Sequence, residues 1–241
     1  MKVVVVHAHP DDEALWTGGL LAQMAAQGHD VLVVTCTLGE EGEVIPEELA
    51  QLVDADQLGG YRYWELQQSL EILGCEGAFL GGVGRWRDSG MVVSDHPRAF
   101  ANAGAEAVEQ LTEILLSAQP DLLITYGPDG GYGHPDHIKA HQITHEAAKH
   151  LGITNIWWAV TVLEDVTLEN VPKTWRLPLP GEIASVAEAD ICIELSESDF
   201  KKKAQAMAAH RTQLMVENEI FALSNRIAQP LLRREYYESR H

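Results

Sequence analysis

Four consecutive valines, Val3 to Val6, run almost directly into His9-Pro10-Asp11-Asp12-Glu13, and this junction constrains the fold more than any other stretch. A β-branched run with no polar interruption is the pattern of a strand covered on both faces. A sheet whose first strand is buried on both sides needs a helical layer on each, so the expected class is α/β. The rest of the chain keeps the alternation. Leu20 to Ala26 follows Gly18-Gly19 with apolar residues at helical spacing, and Val31 to Cys36 is again β-rich. Pro46 with Glu47-Glu48 reads as a helix start, and apolar spacing resumes through Leu66, Leu70 and Leu73. Ala78 to Leu80 reads as a third short strand, and Gly81 to Pro97 as a long aperiodic loop. Then come a helix over Ala101 to Ala118, a strand over Asp121 to Tyr126, a helix over Ile138 to His150 and a strand over Ile156 to Leu163. Pro172, Pro178 and Pro180 interrupt the pattern before a helix near Asp199 to Glu219. This order predicts a Rossmann-like, mostly parallel sheet with helices on both faces. One domain is expected over 1–241, with a core of about 1–165 and a C-terminal extension of about 166–241 packing on it.

Charge and cysteine usage remove several function classes. A net charge of −19 argues against a nucleic-acid backbone or an anionic membrane as partner. No apolar run approaches the roughly 18 residues needed to span a bilayer. The start, MKVVVVHAHPDDE, reads as a buried strand and not a secretory leader, so the expected location is the cytoplasm. Cys36, Cys75 and Cys192 are few, distant and odd in number. Reduced, mostly buried thiols are expected, with neither a disulfide framework nor a thiolate metal cluster. Nothing in the sequence sets an oligomeric state.

In open α/β sheets ligands collect at the carboxyl ends of the strands. Two segments put metal-capable side chains there: His9-Pro10-Asp11-Asp12-Glu13, and Tyr132-Gly133-His134-Pro135-Asp136-His137. No G-x-G-x-x-G follows the first strand, so dinucleotide binding is poorly supported. Two imidazoles and a carboxylate make a three-ligand catalytic zinc site that leaves a position for water. Either segment alone could be only a helix-starting turn, because Asp and Pro favour such positions. Two His-Pro-Asp segments in one chain, each after a predicted strand, favour the site. His141 and His145 share a helix face with His137, but no Glu follows His137 as it does in zinc proteases, so packing or indirect support is the better reading. His7 reads as a buried strand histidine, and Glu13 as a helix cap or a partner of a neighbouring ligand.

With these residues the chain resembles the LmbE-like metal-dependent deacetylases, which include the glucosaminyl-phosphatidylinositol de-N-acetylases. The resemblance implies hydrolysis of an N-acetyl group on a glucosamine unit. It implies His9, Asp12 and His137 as ligands of one Zn²⁺ per chain, with Fe²⁺ the alternative, and Asp11 as general base. His134 becomes the acid or electrostatic stabiliser, with Tyr132 nearby and Asp136 orienting an imidazole. Further stretches are similar to one branch, the deacetylase of N-acetylglucosaminyl-inositol in mycothiol biosynthesis. They are Thr37 to Val44, Gln57 to Arg62, Gly84 to Met91, Gly130 to Gly133 and Ala222 to Asn225. Mycothiol S-conjugate amidase, the sister branch, tends to carry Pro where Gly133 stands and lacks the Arg-Trp-Arg-Asp-Ser-Gly-Met stretch. The other alternative is a deacetylase of another N-acetylglucosaminide.

The chemistry agrees with these roles. Amide hydrolysis needs a polarised carbonyl, an activated water and a protonated leaving amine. A divalent ion polarises the carbonyl and lowers the pKa of a water to about 7. Asp11, beside Asp12, can take the water's proton, while His134 and Tyr132 can face the developing oxyanion. The expected partner is a small N-acetylated amino-sugar glycoside. Resemblance to the branch marks Arg62 and Asp88 as hydroxyl-binding groups and Met91 as a contact for the sugar or inositol ring. For Arg62, Arg85 and Arg87 the competing reading is a surface ion pair of little energetic worth. Trp86 reads equally as a stacking or a core aromatic, and Glu40 and Glu43 as cleft residues.

Overall fold

Along the first strand, alternate valines enter different cores. Val3 and Val5 belong to one apolar cluster with Leu20, Leu70 and Phe200, whereas Val4 and Val6 belong to another with Leu111, Ile143 and Leu123. This two-sided burial is what the unbroken valine run predicts. In the structure, a computed structural model that describes residues 1–164 and 168–240, the elements in chain order begin with β1 (Lys2–His7), α1 (Asp12–Ala26), β2 (Asp30–Thr35) and α2 (Gln51–Asp54). They continue with α3 (Leu58–Leu73), β3 (Glu76–Phe79), α4 (Ala105–Ala118), β4 (Leu122–Tyr126), α5 (Pro135–Leu151) and β5 (Ile156–Val160). The C-terminal part carries β6 (Ile191–Glu194), α6 (Glu197–Ala209), β7 (Met215–Glu217), β8 (Ile220–Ala222), β9 (Gln229–Pro230) and β10 (Arg234–Arg240).

The main sheet has the order β3-β2-β1-β4-β5-β10-β6. The first five strands are parallel, and β10 runs antiparallel to both β5 and β6. α1, α3 and α6 cover one face, and α4 and α5 the other. The α/β expectation holds. Strand order reverses between β1 and β4, and the crevice outside their carboxyl ends is where such sheets bind ligands. The His-Pro-Asp segments leave the sheet at those two ends.

Several boundaries differ from the sequence reading. The first helix starts at Asp12 instead of Leu20 and contains Gly18-Gly19. Those glycines serve a close approach: the Glu235 carboxylate of β10 accepts hydrogen bonds from Gly19 N at 2.8 Å and Leu20 N at 2.8 Å. A Cβ on Gly19 would collide with Leu195 and press on Glu235. Pro46-Glu47-Glu48 opens only a short 3-10 turn, and the long helix begins at Leu58. The helix expected to reach Glu219 ends at Ala209. The predicted division near 165 lies outside the described residues. The C-terminal part is more than a covering layer, because β10 and β6 extend the main sheet and β7, β8 and β9 form a small antiparallel sheet.

Candidate metal centre and active site

β1 ends at His7, and the turn beyond it carries Ala8, His9 and Pro10 to Asp11 at the N-cap of α1. β4 ends at Tyr126, and its following loop delivers His134 as N-cap and Pro135 as first residue of α5. Pro at that position suits a helix start. It also places Asp136 and His137 in the first turn, facing the β1 loop.

Three ligand atoms converge there. His9 Nδ1 lies 3.2 Å from His137 Nε2, and Asp12 Oδ2 lies 3.4 Å from each of those nitrogens. Tetrahedral ligands at zinc-like bond lengths are separated by about 3.3 Å, so the triangle has the dimensions of one face of such a site. Each member is held from behind. His137 Nδ1 is 3.0 Å from Gly130 O, which directs Nε2 inward, and the ring stacks on Tyr126 at 4.1 Å between centroids. A Cβ on Gly130, which has φ of +67°, would strike His137 Cβ. Asp12 Oδ2 accepts from Tyr126 Oη–H at 2.6 Å and from His9 N–H at 2.9 Å, and the Tyr126 oxygen itself accepts from Ala8 N–H.

The far nitrogen of His9, Nε2, sits 3.3 Å from Asp136 Oδ2 and 3.5 Å from Asp88 Oδ1. These carboxylates also accept from Ser89 N–H and Gly90 N–H respectively. A proton on Nε2 shared with them leaves the Nδ1 lone pair for a cation, the arrangement that orients ligating imidazoles. Burial works against protonation of His9, but the Asp88, Asp12 and Asp136 carboxylates outweigh it and lift its pKa well above 6.5. Burial likewise opposes ionisation of Asp12, yet the His137 and His9 imidazoles hold it well below the usual carboxylate range. A buried cluster of this composition, two imidazoles against one carboxylate with two more behind, fits a divalent ion.

Asp11 adopts φ 118°, ψ −30°, a region that strains a residue with a side chain. Its Oδ2 accepts from Arg62 Nη2 at 3.1 Å, and Arg62 also donates to Pro10 O and Gly39 O. Burial raises the Asp11 pKa to about 6, with Asp12 adding to the rise and Arg62 opposing it. His134 Nδ1 accepts from Asp136 N–H at 3.2 Å, so the neutral ring carries its proton on Nε2. Burial, with His9 and His137 nearby, lowers the His134 pKa to about 4. Its ring meets that of His9 edge to face at 4.6 Å, and Tyr132 stands beside His137 at 5.0 Å between centroids.

The structure thus brings together His9, Asp11, Asp12, His134, Asp136, His137 and Tyr132, with Asp88 and Arg62 directly behind them. Met91 lies apart, 59% exposed on the loop after Asp88. Arg85 pairs with Glu106, and Arg87 with Glu41 and Asp56, all on the surface. Trp86 is buried and tilted against Phe100. Glu40 accepts from Asp88 N–H, while His141 bonds Tyr126 O and His7 bonds Thr17 between β1 and α1. Tyr126 and His210 escaped the sequence reading. The position of Tyr126 at the end of β4 was a usable signal, since that is where such sheets carry function. An isolated histidine 197 positions from its partner Glu13 carries none.

Residues 4–170 match the family model described as PIG-L, GlcNAc-PI de-N-acetylase, and the chain belongs to that family. Among relatives it is 52% identical to a Corynebacterium diphtheriae protein named 1D-myo-inositol 2-acetamido-2-deoxy-alpha-D-glucopyranoside deacetylase, over 98% of this chain and 92% of that one. A crystal structure of the zinc-inhibited form of teicoplanin deacetylase Orf2 shares the fold at TM-score 0.62 and 22% identity, covering 88% of this chain and 84% of that one. GalB, the 4-carboxy-2-hydroxymuconate hydratase from Pseudomonas putida KT2440, superposes at TM-score 0.63 with 19% identity over 99% of this chain and 96% of that one. A shared fold therefore does not separate deacetylase from hydratase, and the site must.

Proposed function

We propose that the chain hydrolyses the N-acetyl group of N-acetylglucosaminyl-inositol, releasing acetate and glucosaminyl-inositol for mycothiol biosynthesis. The observation that carries this reading is the convergence of His9 Nδ1, Asp12 Oδ2 and His137 Nε2 within 3.4 Å of one another, directly beside the buried carboxylate of Asp11. The 52% identity to a relative of that name supports the choice of sugar.

His9, Asp12 and His137 would hold one Zn²⁺, a donor set that also suits Fe²⁺. When bound, the ion polarises the amide carbonyl and acidifies water in the site. Asp11 accepts the proton of the attacking water, its carboxylate aimed by Arg62 and its backbone by the turn. His134 donates from Nε2 to the oxygen that becomes negative as the carbonyl carbon turns tetrahedral, and Tyr132 adds a second donor. Asp136 fixes the His9 ring. Protonation of the leaving nitrogen uses the proton that Asp11 took up, so hydrolysis is neutral overall. Toward the glycoside, Arg62 and Asp88 would act from behind the site, where both are buried, and Met91 from the exposed loop that follows Asp88. Among the described residues no helix is long and apolar enough to cross a membrane, in keeping with a cytoplasmic enzyme that takes a small glycoside.

The test is acetate and amine release from N-acetylglucosaminyl-inositol by metal-stripped protein, before and after addition of Zn²⁺ or Fe²⁺ without oxygen. Turnover that depends on metal and prefers this amide over the cysteinyl amide of a mycothiol conjugate is the expected result. No acetate with any divalent ion sinks the proposal, and preference for the conjugate converts it into the amidase.

A further inference from the structure

Glu13 is the second residue of α1, where a carboxylate ordinarily reaches back to cap its own helix in contact with water. Here the side chain has no exposure, and both oxygens are engaged inside the protein. Oε2 accepts from Asp11 N–H at 3.0 Å. Oε1 accepts from Ser69 Oγ–H of α3 at 2.5 Å and lies 2.6 Å from Nε2 of His210, just past the end of α6. His210 is also fully buried, and its own carbonyl accepts from Gln213 N–H and Leu214 N–H, which pins the ring's backbone. Thr212, two residues on, donates from N and Oγ1 to the buried carboxylate of Glu65. A helix cap alone requires none of this, since a buried ionic pair forfeits hydration on both partners.

What the pair touches is the backbone of Asp11. At φ 118° that residue occupies a conformation that persists only where its surroundings over-determine it. Its carbonyl is held by Ala14 N–H and Leu15 N–H, its carboxylate by Arg62, and its N–H, among the described residues, by Glu13. We propose that Glu13 and His210, with Ser69, are positioning residues that hold Asp11 in its left-handed turn and so aim its carboxylate at the reacting water. The role assumes the hydrolytic reading of the site. It also gives the C-terminal extension a part in the site that its distance in sequence hides.

The experiment compares the parent chain with His210→Gln, whose amide N–H can still donate to Glu13, and His210→Leu, which cannot. Should His210→Leu fail to fold because it strands a buried carboxylate, Glu13→Gln/His210→Leu replaces it. Crystal structures of metal-loaded proteins read the Asp11 φ directly, and single-substrate kinetics read kcat and KM. The leucine variant is expected to relax Asp11 to negative φ and to lose about 10- to 100-fold in kcat, the scale of a small misplacement of a catalytic group. KM and metal content should stay within about threefold, and His210→Gln should recover most of the loss. In an Asp11→Asn background the same leucine substitution should change the residual rate less than about twofold. An Asp11 φ that stays near 118°, a kcat within about twofold of parent, or an equal loss in the Asp11→Asn background each overturns the inference. A parent chain that releases no acetate defeats the hydrolytic reading instead, and the crystallographic comparison still decides whether the pair sets the turn.

Discussion

Asp11 and Asp12 are adjacent, yet their surroundings drive them to opposite ends of the carboxylate range. Burial raises Asp11 to about 6, whereas the His137 and His9 imidazoles overcome the same burial and hold Asp12 ionised. Neighbours of one residue type whose environments separate them in this way mark a division of roles, one binding and one exchanging protons. Replacing Asp11 by Asn is therefore expected to leave metal stoichiometry at one per chain and to lower kcat by about 10²- to 10⁴-fold. Metal analysis beside turnover separates that result from simple loss of the ion. Tyr126 acts one step further out, since its hydroxyl donates to Asp12 Oδ2 and accepts from Ala8 N–H. Tyr126→Phe keeps the stack on His137 and removes both hydrogen bonds. Metal affinity should fall by about 10- to 100-fold in a competition titration against a chromogenic chelator, and unchanged affinity would refute the assignment. The convergence of His9, Asp12 and His137 was legible because both segments carry His-Pro-Asp beyond a strand end. Tyr126 was not singled out, since a tyrosine closing an apolar strand reads first as core.

At the scale of elements, the α5–β5 contact contains a titration of its own. His145 Nε2 accepts from Trp158 Nε1–H at 2.8 Å, and the His141 ring lies 4.4 Å away. Burial, with His141 adding, lowers the His145 pKa to about 4. A folded-state value below the ordinary 6.5 means that the unfolded chain takes up the proton first. Stability is therefore full above pH 6.5 and declines as pH falls toward about 4. Because the ring is partly solvated, the screened contribution is about 1 kcal/mol. Urea unfolding of parent and His145→Gln between pH 7.5 and 5 should show the parent losing more. The long parallel strands and their helices were readable because each buries a continuous or periodic apolar set. β6 through β9 were not, since each has four residues or fewer and is only partly buried. Their pairing is settled by partners far along the chain, which no local window contains. The early start of α1 was hidden for a related reason: Gly18-Gly19 looks like a helix boundary until Glu235 is seen against it.

For the molecule as a whole, an ion held by His9, Asp12 and His137 would tie the β1 loop to the start of α5 and so couple ion binding to folding. An ion bound by the native state alone stabilises by about 2.7 kcal/mol at 100 times its Kd. For a chain of this size that is a rise in Tm of about 5–10 °C. Scanning calorimetry of stripped and reconstituted protein should show the shift, and Asp12→Asn should abolish most of it. An equal rise in that variant would place the ion elsewhere. The seating of Glu235 against Gly19 and Leu20 bears on biosynthesis. Glu235 stands 216 positions after Gly19, so the strand that carries it is made long after the helix it grips. His210, which reaches Glu13 beneath the turn, also emerges late. A nascent chain stalled between residues 137 and 235 therefore holds His9, Asp12 and His137 but not all the contacts that brace the elements carrying them. The candidate site is therefore closed from behind only once β10 reaches back to α1.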